Sequence, residues 1–80
     1  MTDSTPARIL VVDDDPGMRN LLEAYLGDSG FAVLTASDGA GMWPLLASGM
    51  PDAIVLDLMM PGEDGLSLAR RLRSQSNVPI

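Results

Sequence analysis

A parallel, doubly wound α/β fold is predicted for this 80-residue chain by three features. Short apolar, β-branched runs alternate with amphipathic stretches of helical period, the pattern of strand–helix units joined by right-handed crossovers. The apolar runs are continuous rather than alternating, as in strands buried on both faces. The breaks between them carry Gly, Pro and Asp, the residues that turns and helix caps favour.

Residues 1–7 form a polar, acidic, mobile leader, unlike a signal peptide. A partial domain occupies residues 8–80. Ile9-Leu10-Val11-Val12 is the first strand, ending in Asp13-Asp14-Asp15-Pro16. Asp15 suits an N-cap and Pro16 a first helical residue, where a missing N–H costs nothing. Met18, Leu21, Leu22, Tyr25 and Leu26 then fall on one helical stripe, with Arg19, Asn20 and Glu23 outside it. Gly30 is the expected C′ residue after this helix.

Residues 31–36, Phe31-Ala32-Val33-Leu34-Thr35-Ala36, form the second strand. In the second helix Met42, Leu45 and Leu46 share a face. Pro44 inside that pattern predicts a short or distorted helix, or one that starts later than Gly39. The third strand, Ala53-Ile54-Val55-Leu56, delivers Asp57 and is stopped by Pro61-Gly62. After the turn Pro61-Gly62-Glu63-Asp64-Gly65, the third helix turns Leu68, Ala69 and Leu72 inward. Arg70, Arg71 and Arg73 gather towards its last turn, where cations favour the helix dipole. Val78-Pro79-Ile80 begins a fourth strand.

Composition narrows the function. Apolar residues make up 46% of the chain, as in a globular protein. Eleven acidic residues against five arginines give a net charge of -6, which disfavours nucleic acid and anionic membrane as direct partners. With no Cys, His or Lys, thiolate metal sites, disulfides and the commonest general base are excluded. No apolar run approaches the roughly 18 residues that span a membrane. The expected compartment is cytoplasmic.

Two strand ends carry acids: Asp13, Asp14 and Asp15 after the first, Asp57 after the third. In open α/β sheets the functional crevice lies beyond the carboxyl ends of the strands. If these two strands are neighbours, the carboxylates converge. Two unit charges about 4 Å apart repel by about 4 kcal/mol at an effective dielectric of about 20. Such a cluster calls for a counterion, and hard oxygen ligands suit Mg2+. Beside the ion, Asp57 could act as a nucleophile towards phosphorus and form an aspartyl-phosphate.

Plainer readings stand beside this one. An Asp run is often a solvated loop or cap, and a lone Asp after a strand often turn chemistry. Gly39-Ala40-Gly41-Met42-Trp43-Pro44 partly imitates a dinucleotide fingerprint, but Pro44 stands where the third Gly belongs. Met59-Met60 reads as packing before it reads as a soft-metal pair. The arginine cluster is a solvated helix end or a surface for an acidic partner.

The stretches Ile9-Leu10-Val11-Val12-Asp13-Asp14-Asp15, Val55-Leu56-Asp57-Leu58-Met59-Met60-Pro61-Gly62 and Asp64-Gly65-Leu66 together resemble the receiver domain of two-component response regulators. The turn 61–65 and the run Arg70-Arg71-Leu72-Arg73-Ser74 look most like the OmpR-type subfamily. The resemblance covers residues 8–80 and implies a flavodoxin-like βαβαβα order plus the start of a fourth strand. It makes Asp57 the phosphoacceptor, Asp14 a direct Mg2+ ligand, Asp13 a ligand through the ion's water shell, and the Met59 carbonyl a further ligand. The implied partner is a sensor histidine kinase. The implied output is a DNA-binding domain, and the module is an acceptor rather than an enzyme.

The same resemblance expects a Ser or Thr at the end of strand four and a Lys at the end of strand five, and the sequence to Ile80 holds neither. The expectation is therefore a receiver truncated within the fourth strand. Standing alone it would complete its sheet by dimerising or domain swapping. Two alternatives are a Mg2+-dependent phosphohydrolase and a non-catalytic interaction module using an open sheet edge. Against the first, the haloacid-dehalogenase pattern wants an Asp where this chain has Met59.

Overall fold

The computed structural model describes residues 5–62 and 64–80, so most of the predicted leader and Glu63 of the turn lie outside the described residues. Three strands and three helices alternate: β1 (Arg8–Val12), α1 (Pro16–Asp28), β2 (Ala32–Ala36), α2 (Gly39–Ser48), β3 (Ala53–Leu56) and α3 (Gly65–Gln75). The sheet is parallel throughout, in the order β2-β1-β3. The connection from β2 to β3 therefore crosses over β1, which becomes the central strand.

Side chains alternate between the faces of the sheet. Leu10, Val12 and Ile54 join Met42 and Leu46 of α2 and Leu68 and Leu72 of α3 in one buried cluster. Ile9 and Val11 point the other way, towards α1. Both faces of β1 are closed, as continuous apolar runs predict. β3 departs from that expectation: Val55 is 43% exposed, because α1 lies over β1 and β2 rather than β3.

Each helix starts on an aspartate that caps it. Asp15 accepts from the Gly17 amide, Asp38 from Gly41 and Asp64 from Leu66, satisfying N–H groups that have no partner inside a helix. The predicted Pro16 start and the Gly30 stop of α1 are both present, Gly30 having φ 98°. α2 starts at Gly39, not later, and continues through Pro44. Pro44 falls in its second turn and removes one helical bond there, and the burial of Met42 and Leu46 on either side holds the helix together.

Three further expectations need correction. The α1 stripe is only half covered: Leu22 and Leu26 are partly buried, whereas Leu21 is 62% and Tyr25 67% exposed. Period shows that one side of a helix is apolar, not what lies against it. The arginines do not share the last turn of α3, since the helix runs on to Gln75 and only Arg73 lies there. Arg71 instead stacks over the Trp43 ring at 4.7 Å, tying α3 to α2. Beyond α3, Val78-Pro79-Ile80 is not a regular strand, but the Pro79 carbonyl accepts from Ile54 on the outer edge of β3.

Candidate functional site

β1 and β3 are direct neighbours, with Val12 opposite Leu56 as the last pair in register. The next residue on each strand is an aspartate. Parallel pairing therefore brings Asp13 and Asp57 side by side at the carboxyl end of the sheet, at the point where the strand order reverses. The backbone fixes both: the Asp57 amide donates to the Val12 carbonyl at 2.9 Å, and the Asp13 amide to Ala36 at 3.1 Å.

Asp13, Asp14 and Asp57 each bring a carboxylate oxygen to within 4.8 Å of the others. Asp13 and Asp57 are partly buried and Asp14 is exposed. Their loops are shaped by the acids themselves. The Asp13 Oδ1 accepts from the Asp15 amide at 2.9 Å, and the Asp57 Oδ1 accepts from the Met59 amide at 3.0 Å. Three oxygen donors in this space suit a hard divalent cation such as Mg2+. They offer no soft ligand, so thiophilic metals are disfavoured.

Other candidates separate. Asp15 caps α1 and stays out of the cluster. Met59 is 86% exposed while Met60 is buried in the core, so they do not form a ligand pair. At the start of α2 the Asp38 carboxylate holds the Gly41 amide at 2.8 Å, filling the place a phosphate would need.

Two residues given no role at the site by the sequence touch it. The Arg19 Nη1 donates to the main-chain carbonyl of Asp13 at 2.7 Å. Gly65, at the start of α3, presses on the backbone of Asp57 and Leu58 so closely that a Cβ would meet them. A cation just inside a helix N-terminus was a readable signal for Arg19. Gly65 was marked as a turn residue and in the stretch Asp64-Gly65-Leu66, but its contact with Asp57 and Leu58 is tertiary and no local signal gives it.

Comparison with known proteins places this geometry among relatives. A family model, the response regulator receiver domain, matches residues 9–80. The response regulator MprA of Mycolicibacterium vanbaalenii is 52% identical over 76 residues, 94% of this chain. The chain spans 33% of that relative's length. The response regulator TrrA of Thermotoga maritima, solved with Mg2+ and BeF, superposes with a TM-score of 0.81 at 40% identity, over 88% of this chain and 61% of that one. TrrA solved in complex with the histidine kinase ThkA gives a TM-score of 0.82 at 38% identity, over 91% of this chain and 63% of that one.

Proposed function

Because the chain belongs to the response regulator receiver-domain family, we propose that it is a phosphoryl-accepting signalling module with Asp57 as the acceptor. The observation that carries this reading is the meeting of Asp13, Asp14 and Asp57 within 4.8 Å, at adjacent strand ends. Asp14 would ligate Mg2+ directly, Asp13 would assist through its water shell, and the Met59 carbonyl would complete the protein's share. That the similar TrrA was solved with Mg2+ and BeF supports a Mg2+ site at this end of the sheet. When bound, the ion offsets the acidic charge and shields an incoming phosphoryl group.

The donor is a phosphohistidine on a sensor histidine kinase, a partner supported by the TrrA–ThkA complex. A carboxylate oxygen of Asp57 attacks phosphorus. The O–P bond forms as the P–N bond breaks, and the electron pair of the latter returns to the imidazole nitrogen. The chain's own residues hold the acceptor for this step: the Met59 amide fixes Oδ1 of Asp57, and the bond to Val12 fixes its backbone. The module acts in the cytoplasm and, in its whole protein, controls a DNA-binding output. Among the described residues no helix is long and apolar enough to cross a membrane.

Incubation with acetyl phosphate and Mg2+, followed by intact mass measurement, tests the reading. One added phosphoryl group is expected, not gained when Mg2+ is left out and absent from Asp57→Asn. An unchanged mass, or a modification that persists in Asp57→Asn, overturns it.

A further inference from the structure

Arg19 is the fourth residue of α1, near the positive end of the helix dipole, where a cation is disfavoured. Its side chain nevertheless lies partly buried against the turn after β1 instead of reaching into water. There Nη1 donates to the Asp13 carbonyl at 2.7 Å, six residues back, while the Arg19 amide donates to the Asp15 carbonyl at 3.0 Å. The Asp13 carbonyl belongs to the peptide that joins Asp13 to Asp14. Asp13 is held at its amide by Ala36 and at its carboxylate by the Asp15 amide. The Asp15 amide fixes the peptide after Asp14, and Arg19 adds the hold on the peptide before it. Because a carbonyl takes this bond, it leaves the carboxylate oxygens to a cation.

We infer that Arg19 is a positioning residue for the acid cluster: by holding the Asp13–Asp14 peptide it sets how tightly Asp13, Asp14 and Asp57 take a divalent cation. This rests on the reading of those residues as a Mg2+ site. A role through charge alone has the opposite sign. A guanidinium near three carboxylates repels a second cation, so its removal would tighten binding.

The test is calorimetric titration of the 80-residue chain with Mg2+, for the parent and for Arg19→Met and Arg19→Lys, with the metal-free Asp14 amide shift followed by NMR. Arg19→Met keeps the apolar stem and so preserves packing. It should weaken Mg2+ binding about tenfold, the low end for losses of residues that orient metal ligands, and move the Asp14 amide. Arg19→Lys, which restores a charged donor, should recover both. Unchanged or tighter binding in Arg19→Met overturns the inference, as does weaker binding with the Asp14 amide unmoved. If the parent binds no Mg2+, the functional reading falls as well; if the parent binds and both variants match it, only the role of Arg19 falls.

Discussion

A Cβ placed on Gly65 would lie 2.7 Å from the carbonyl oxygen of Asp57. It would come closer still to Cα of Leu58, and these are backbone atoms, which cannot swing aside. The N-terminus of α3 is thus seated on the loop that carries the candidate acceptor. Gly65→Ala should lose about 1–3 kcal/mol, the usual cost of overpacking, measured by urea denaturation. Phosphoryl uptake should fall with it, since the loop must shift to admit the methyl group.

The acid cluster predicts stabilisation by its ion. Mg2+ at about one hundred times its dissociation constant should add about 2.7 kcal/mol to unfolding, seen as a rise in melting temperature with metal concentration. In Asp14→Asn most of that rise should vanish, while the melting temperature without metal holds or increases as a repelling charge is removed. An Asp14→Asn chain that responds to Mg2+ like the parent would remove Asp14 from the site.

Asp64 gives a pH-dependent prediction. The Ser67 hydroxyl, donating to Oδ2 at 3.0 Å, and the Leu66 amide, donating to Oδ1 at 3.0 Å, hold its carboxyl below the ordinary carboxylate value. A carboxyl whose folded pKa is depressed adds stability that is present above its unfolded pKa, about 3.9, and is lost as pH falls through the folded one. Ser67→Ala should move the Asp64 midpoint upward in an NMR titration and bring the acid loss of α3 to higher pH. A midpoint that stays in place would show that Ser67 does not set it.

Asp38 offers a control. Its carboxylate caps α2 through the Gly41 amide. Asp38→Ala should lose about 1 kcal/mol of stability, the usual worth of such a cap, and leave phosphoryl uptake per folded molecule unchanged. Loss of uptake in a fully folded Asp38→Ala would tie α2 to the chemistry.

The strands, the start of α1 and the acids at two strand ends were legible because each is written locally. Asp13 and Asp57 follow apolar runs, and once β1 and β3 are neighbours the register of Val12 and Leu56 brings them together. The stripe of α1 was legible as amphipathic, but its period does not report that Leu21 and Tyr25 face open solvent. The reach of Arg71 to Trp43 and the seat of Gly65 on Asp57 join residues far apart in the chain, and no spacing encodes them. Pro44 warned of a break that the packing of Met42 and Leu46 overrides.

α1 contains no fully buried residue, whereas α2 and α3 each anchor buried side chains in the core. Local opening follows burial, so α1 should be the first helix to exchange its amides with solvent. Yet α1 carries Arg19, and its cap Asp15 belongs to the turn that presents Asp13 and Asp14. The loosest helix therefore guards the most demanding geometry in the molecule. An ion held by those aspartates would act as a clasp, slowing exchange in α1 by the same free energy that it adds against unfolding of the whole chain.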